Sequence, residues 1–327
     1  MTDAELKAAG LRYYPDTRPG ISRRRCGRGF SYRAPDGTTI SDRAKRAEIE
    51  ALAVPPAYEG VWISPHRDGH LQATGHDERR RKQYMYHPGW TALRAERKYD
   101  QLPELGAALP RLRRWIGRHL GGAPEAEDTA LAKILALVER MSLRVGSPAY
   151  RDENGSYGAT TLEGRHLLPG SGRPELAFRA KGGARCHLPV AGLALGRALK
   201  AGKGGPRAPL VTYGDAAGAL HPVRAEQINA RLSDICDTDV TARQLRTWNG
   251  TLAAFRAAAS PAPTRIADMA EAAAVTLGNT AAVARGSYIH PDVIDLAESE
   301  APIRIAPPAR HWRRGERELL RLVSGQG

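Results

Sequence analysis

Tyr288 has the sequence surroundings that best suit a chemical step in this 327-residue chain. It follows Asn279 by nine residues and Arg285 by three, so an amide and a cation precede a phenol. A phenol ordinarily titrates near pH ~10, and nearby positive charge favours the ionised form that attacks phosphorus. The segment therefore indicates a candidate nucleophile for a phosphate ester. The alternative is a partly buried helical tyrosine whose hydroxyl reaches water.

Three upstream basic residues could supply the other groups that attack on a phosphodiester needs. Such attack needs donors around two non-bridging oxygens and a proton for the departing oxygen. Arg144, in Met141–Gly146, and Arg246, in Gln244–Trp248, carry guanidinium forks that donate two hydrogen bonds and keep their charge. Lys181 lies in the turn-like segment Ala180–Ala184 and could supply the proton. Each is one of 49 lysines and arginines, for which a solvated surface position is the ordinary explanation when taken singly.

The order of these residues resembles the active-site series of the type IB DNA topoisomerases, in the poxvirus-like branch that also occurs in bacteria. The series here is Arg144, Lys181, Arg246, Asn279 and Tyr288. The resemblance runs from about Pro19 to Pro291 and includes Asp77–Tyr84, where Arg80 replaces a glycine that is common in the family. It implies an α+β chain with a small β-rich N-terminal domain and a mainly α catalytic domain of the type IB topoisomerase and tyrosine recombinase kind.

The resemblance also implies a role for each member of the series. Tyr288 attacks the backbone phosphate and becomes joined to the DNA 3′ end, while a 5′-hydroxyl departs. Arg144 and Arg246 clamp the phosphate oxygens, and Lys181 protonates the leaving 5′-oxygen. Asn279 occupies the position of a histidine in the poxvirus members, and its amide can donate a hydrogen bond but cannot act as an acid.

Further residues match family positions that contact DNA. Lys82, Gln83, Tyr84 and Tyr86 match a segment that meets bases and phosphates in the major groove, although an exposed edge strand would have the same composition. Tyr150 matches a tyrosine that touches phosphate, although an ordinary contact at a helix end would equally explain it. Arg243 precedes Arg246 by three residues, where poxvirus enzymes have lysine and tyrosine recombinases typically have histidine. The missing His-x-x-Arg pattern favours a topoisomerase over a recombinase.

Charge and composition bound the partners and the compartment. The net charge is +14, and residues 1–90 hold 16 Lys and Arg against 11 Asp and Glu, leaving 33 against 24 for the rest. Basic excesses in both parts suit two jaws around one duplex, and together with the resemblance they lead us to expect a monomer that closes around duplex DNA as a clamp. Three scattered cysteines and no apolar run near ~18 residues predict a cytoplasmic protein without a membrane anchor. With duplex DNA as its partner, we expect it to be nucleoid-associated.

The histidines do not indicate a metal site. His66, His70, His76 and His87 have neither cysteines beside them nor the helical spacing that zinc sites use. We therefore expect no metal and no cofactor. A tyrosine recombinase, or a non-catalytic basic DNA-binding protein, is the alternative function.

Two parts of the chain must position these residues. Residues 1–90 predict a DNA-clamping sheet with strands at Ile21–Arg23, Phe30–Tyr32, Val61–Ile63 and Leu71–Ala73, and one helix with Ser41 as its N-cap. Residues 91–327 predict the catalytic domain with a C-terminal tail. Its predicted helices are 90–98, 104–120, 129–145, 223–235, 242–258 and 265–277, and its predicted strands are 157–162, 175–179 and 185–189. Lys181 then lies at a hairpin tip, and the sequence discloses no role for Ile303–Gly327.

Overall fold

The computed structural model describes residues 3–260, 264–299 and 303–326. It divides the chain into two units, Met1–Asp100 and Gln101–Gly327. The first is a small sheet with short helices, and the second is mainly helical, so the predicted fold class is confirmed. The division falls after helix α3 (Pro88–Glu96), because Trp90 of that helix packs against Leu6 and Leu11 of the first unit.

The first unit is built on five short antiparallel strands in the order β2-β1-β3-β4-β5. Their alternating residues place one face on a core that contains Ile21, Val61 and Ile63, and Ile49 of helix α2 (Arg43–Ala51) packs against it. The predicted strands are confirmed and slightly longer than expected. The elements are α1 (Asp3–Ala8), β1 (Ile21–Cys26), β2 (Gly29–Arg33), α2 (Arg43–Ala51), β3 (Glu59–Ile63), β4 (Leu71–His76) and β5 (Lys82–Tyr86).

Helix α2 begins one residue later than the sequence predicted. Its N-cap is Asp42 and not Ser41, because the Asp42 carboxylate accepts the N–H of Ala44 at 2.8 Å. An aspartate at this position also places negative charge at the positive end of the helix dipole.

The turn before the edge strand β5 explains the family's preference for glycine at position 80. Arg80 has a φ of +57°, in the left-handed region that glycine adopts without steric cost. The turn is closed by the Asp77 side chain, which accepts the N–H groups of Arg79 and Arg81. This chain therefore keeps the turn although Arg80 adopts a backbone conformation that is unfavourable for residues other than glycine.

The second unit packs its helices around α5 (Glu127–Met141), whose residues from Thr129 to Glu139 are all buried. Helix α9 is nearly as enclosed and packs against α5 and α10. The helices are α4 (Leu102–His119), α5 (Glu127–Met141), α6 (Pro148–Asn154), α7 (Leu193–Ala201), α8 (Ala225–Cys236), α9 (Ala242–Ala258), α10 (Ile266–Leu277), α11 (Ala281–Tyr288), α12 (Pro291–Asp295) and α13 (Glu316–Val323). The strands are β6 (Leu167–Leu168), β7 (Glu175–Arg179), β8 (Arg185–Pro189), β9 (Thr212–Gly214) and β10 (Leu220–Pro222).

Two secondary-structure predictions for this unit were wrong. Residues 157–162 form no strand, because the Thr161 hydroxyl accepts the N–H of Gly158 and closes a 3-10 turn at Ala159–Thr161. Helix α5 ends at Met141, not at residue 145, because Ser142 adopts a left-handed conformation with a φ of +54°. The predicted hairpin of β7 and β8 is confirmed, with Phe178 opposite Cys186.

The C-terminal residues are folded into the second unit. Helix α13 packs against α4, α9 and α12, and its Glu316 and Leu319 are fully buried. Among the described residues, no helix combines the length and apolarity needed to cross a bilayer.

Candidate active site

Arg246 lies inside the second unit, on the buried face of α9. Only 3% of the residue is exposed. Its guanidinium donates to the carbonyl of Ser142 and, at 3.0 Å, to the carbonyl of Leu277. Burial, together with the charge of Arg144, lowers the pKa of Arg246 to about 10, so it still carries its charge at pH 7.

Arg144 follows the end of α5 and reaches Asn279, the second residue after α10. Its Nη2 donates to the Oδ1 of Asn279. The backbone around Arg144 lies against Gly158, where a Cβ would come within 2.6 Å of the Arg144 carbonyl oxygen and of Gly146. Glycine at 158 therefore permits the close approach that holds this segment, and the N–H of Ala159 donates to the Arg144 carbonyl at 2.8 Å.

Asn279 is positioned by the end of α10. Gly278 ends that helix in a left-handed conformation with a φ of +58°, and the Asn279 N–H donates to Ala274 at 3.1 Å. The Oδ1 atom accepts from Arg144, whereas the buried Nδ2 has no acceptor among the described residues. The amide thus presents an unused donor beside a guanidinium.

Tyr288 is the last residue of α11 and is half-buried. The guanidinium carbon of Arg246 lies 5.5 Å from the centroid of the Tyr288 ring. The Tyr288 carbonyl accepts from the hydroxyl of Thr251 at 3.1 Å. A Cβ at Gly250 would lie 2.9 Å from that carbonyl, so glycine lets α9 approach the tyrosine closely.

The two arginines line a common cavity of 220 Å³, which is also bordered by Ser142, Cys186 and Gly278. The Nε of Arg246 is buried and has no acceptor within the described part of the chain, like the Nδ2 of Asn279. A buried donor without an acceptor costs free energy. In a site that binds an anion, the bound anion supplies the missing acceptor. A larger cavity of 580 Å³ in the same unit contains none of the five predicted catalytic residues.

The structure does not bring Lys181 into this cluster. The residue lies at the β7–β8 hairpin tip, where Gly182 and Gly183 have φ values of +80° and +82°. Its ammonium lies 5.1 Å from the ring centroid of Tyr150, and both side chains are exposed. Ala180 and Ala184 at the base of the turn do border the cavity. The hairpin therefore carries the lysine at the edge of the arginine site.

The predicted DNA contacts are exposed except for Gln83, which is half-buried, and two of them already pair with carboxylates. Lys82 forms an ion pair with Asp16 at 2.6 Å, and Gln83 donates to Asp77 at 2.9 Å. Tyr84 and Tyr86 stack with ring centroids 6.1 Å apart on the edge strand β5. Arg243 is exposed on α9, one turn before Arg246.

Two of the histidines have structural contacts. The His70 ring accepts the N–H of Tyr14 at 2.9 Å, and burial lowers the pKa of His70. His87 caps α3 by accepting the N–H of Gly89 at 3.0 Å. Across the described ranges, no three His, Cys, Asp or Glu side chains gather as metal ligands.

Sequence reasoning missed the polar groups behind the two arginines. Ser142, Glu139 and Asn249 are buried and bonded to one another, although each stands in a mainly apolar segment. A carboxylate inside the apolar run of α5 was the available signal, because a buried charge requires a partner. Glu139 has two such partners: Arg113 of α4, at 2.8 Å, and Arg313, which lies 174 residues away in sequence and 2.6 Å from the Glu139 carboxylate.

Comparison with known proteins supports the sequence resemblance. Residues 29–77 match the family described as bacterial DNA topoisomerase IB, N-terminal domain, and residues 88–194 match the family described as eukaryotic DNA topoisomerase I, catalytic core. A protein named DNA topoisomerase 1B, from Acanthamoeba polyphaga mimivirus, is 27% identical over 171 residues, which cover 52% of this chain and 51% of that protein. The chain thus matches about half the length of that relative. The second family match includes Arg144 and Lys181 and ends before Arg246.

Proposed function

We propose, from the confirmed resemblance to the type IB DNA topoisomerases, that this chain is an isomerase that relaxes supercoiled DNA by cutting and rejoining one strand. The observation that carries the proposal is the convergence of Arg144, Arg246, Asn279 and Tyr288 from four separate segments. Arg144 bonds to Asn279, and the Arg246 guanidinium lies 5.5 Å from the Tyr288 ring. A phenol beside the Arg246 guanidinium, which shares a cavity with Arg144, suits attack on a phosphodiester.

The proposed reaction conserves the phosphate ester throughout. The Tyr288 oxygen loses its proton to solvent and bonds to phosphorus, and the bond from phosphorus to the 5′-oxygen breaks. Lys181 gives its proton to that oxygen, while Arg144, Arg246 and the Asn279 amide stabilise charge on the non-bridging oxygens. Rejoining is the reverse of these steps, with Lys181 as the base.

The exchange requires no external energy. One phosphate ester is exchanged for another, so the energy of the broken bond is kept in the phosphotyrosyl link. The freed end then rotates before the link reverses. Side chains provide the nucleophile, the charge and the proton, and this predicts activity without ATP and without added metal.

We expect the purified chain to relax both positively and negatively supercoiled plasmid in EDTA without ATP. The measurement is gel separation of topoisomers over time, with heat-inactivated protein as the control. A strict requirement for magnesium or ATP would contradict this mechanism. Binding without any change of linking number would favour the non-catalytic DNA-binding protein instead.

We further propose that the chain acts as a monomer that closes around duplex DNA at the nucleoid, supported by the basic excess in both parts of the sequence. The DNA contacts would come from Lys82, Gln83, Tyr84 and Tyr86 on β5, and from Tyr150 and Arg243. Lys82 and Gln83 would exchange their carboxylate partners for DNA.

DNA affinity should therefore fall steeply with salt. Neutralising phosphates releases condensed counterions, so contact with six to ten phosphates would cost about 10³- to 10⁵-fold in affinity between about 50 and 200 mM salt. Fluorescence anisotropy of a labelled duplex, with Tyr288→Phe to prevent cleavage, measures this slope. An affinity that hardly changes over that range would be incompatible with the clamp.

A further inference from the structure

We infer that the C-terminal segment, residues 303–326, positions the catalytic arginines through the side chain of Arg313. The inference rests on the proposed function, because it assigns a task to residues behind the site where that reaction would occur. Arg313 touches neither Arg144 nor Arg246 in the described contacts. It reaches them through Glu139, Asn249 and Ser142, so it is a positioning residue.

The C-terminal segment is anchored by a buried ionic cluster. Arg113 of α4 donates to Glu139 at 2.8 Å and to both carboxylate oxygens of Glu316 at 2.6 Å. Burial acts against ionisation of Glu316, yet hydrogen bonds and charge from Arg113 keep its pKa below the ordinary value. Glu139 and Glu316 are 1% and 0% exposed. Two carboxylates at this depth need cationic partners, because an unpaired buried charge is strongly destabilising.

Arg313 connects this anchor to helix α9. Its Nη2 donates to the Glu139 carboxylate at 2.6 Å and to the Glu139 carbonyl at 3.2 Å. Its Nη1 donates to the Oδ1 of Asn249 at 3.3 Å. One planar guanidinium therefore sets α5 and α9 relative to each other at a buried point.

Asn249 connects Arg313 to Ser142, and the positions of both Arg246 and Arg144 depend on Ser142. Its Nδ2 donates to the Glu139 carbonyl and to the Ser142 hydroxyl, each at 2.9 Å. The Ser142 carbonyl accepts from Arg246, and the left-handed conformation of Ser142 ends α5 two residues before Arg144. Holding the Ser142 side chain thus fixes the acceptor of one arginine and the backbone direction of the other.

This hydrogen-bond network contributes more to the precise placement of the catalytic arginines than to the free energy of folding. Buried ion pairs often contribute little to the free energy of folding, since desolvation offsets their attraction. Catalysis by pre-placed charges, in contrast, is sensitive to displacements of about 1 Å, which can cost about 10²-fold in rate. Removing the Arg313 guanidinium takes the donor from the Asn249 Oδ1 and one of the partners from Glu139. The Ser142 acceptor is then free to shift.

The test compares Arg313→Ala with the control variant Arg314→Ala. Arg314 is the exposed neighbour of Arg313, and its carbonyl, which accepts from Arg256, is kept in the variant. We expect Arg313→Ala to lower the rate constant for covalent adduct formation about 10- to 10²-fold at saturating DNA. Its DNA affinity should change by less than about threefold, because Arg313 is half-buried behind the site. Arg314→Ala should retain the normal rate constant.

A substrate with a methyl group in place of one non-bridging oxygen at the cleaved phosphate separates positioning from folding. This phosphate has no negative charge, so the placement of two guanidinium groups matters less. The rate defect of Arg313→Ala should shrink on it, at a temperature where thermal melting shows the variant to be folded. Arg313→Ala/Asn249→Ala should be no slower than the slower single variant, because both act on Ser142.

The outcomes separate the two proposals. If the unaltered protein forms no adduct, the proposed function fails. If it does, and Arg313→Ala reacts like Arg314→Ala or keeps its full defect on the methyl substrate, only the positioning role fails. Should Arg313→Ala not fold, Arg313→Lys keeps the charge beside Glu139 and loses the fork to Asn249. An unchanged rate constant in that variant overturns the inference.

Discussion

Tyr288→Phe should bind duplex DNA with unchanged affinity and form no covalent adduct. The substitution removes the one oxygen that would bond to phosphorus and keeps the ring that lies 5.5 Å from the Arg246 guanidinium carbon. Packing around α11 should also survive, since the contacts from Thr251 and Gly250 reach the backbone and Cβ of Tyr288. Relaxation should fall by at least about 10⁴-fold, because no other group can form the covalent bond.

The measurement uses a duplex labelled at the 5′ end of the cleaved strand and a denaturing gel. The strand that attaches to the protein through its 3′ end keeps that label. Tyr213→Phe is the matched control, because it removes the same atom from a tyrosine whose hydroxyl accepts from Gln227 at 3.1 Å, outside the cluster. Adduct formation by Tyr288→Phe at the normal rate would assign the nucleophile to another residue.

Lys181→Ala should slow cleavage of ordinary DNA by about 10²- to 10⁴-fold, the range for loss of a general acid. The side chain is exposed at a hairpin tip, so its removal should leave the fold intact. A DNA substrate with sulfur in place of the bridging 5′-oxygen departs as a thiolate, which is stable without a proton. On that substrate the variant should cleave about as fast as the unaltered protein.

This experiment has one control that should react normally and two that should remain impaired. Lys200→Ala removes an exposed lysine from the last turn of α7 and should cleave both substrates normally. Arg144→Ala and Arg246→Ala should stay impaired on the sulfur substrate, because the guanidinium groups that they lack stabilise charge on the phosphate and do not protonate the leaving group. If sulfur does not rescue Lys181→Ala, the lysine binds DNA or supports the hairpin and is not the acid.

Local sequence signals were sufficient for most elements of the fold. Helix α9 has the predicted bounds, Ala242–Ala258, and the β7–β8 hairpin forms as the glycines between its strands indicated. Periodicity and turn residues act within a few residues of chain, so they can be read without the partner elements. The errors at Thr161 and Asp42 arose from competing local hydrogen bonds, and the error at the end of α5 arose from the left-handed conformation of Ser142.

The residues that would take part in the reaction were found by their order along the chain, and the contacts among them depend on tertiary packing. Arg144 and Asn279 are 135 residues apart and bonded, whereas Lys181 lies outside the arginine cluster, over Tyr150. No spacing rule predicts these outcomes, because they depend on where α5, α10 and the hairpin meet.

The C-terminal segment shows most clearly the difference between what the sequence predicts and what tertiary packing decides. Its prolines and arginines disclose no role in sequence, yet Arg313 pairs with Glu139 and the buried Glu316 pairs with Arg113. A charge buried in one element requires an opposite charge from another, and sequence states the need at Glu139 without identifying the donor. The packing of α4 against α5 supplies Arg113, and the packing of α13 beside α4 and α9 brings Arg313 within hydrogen-bonding distance as well.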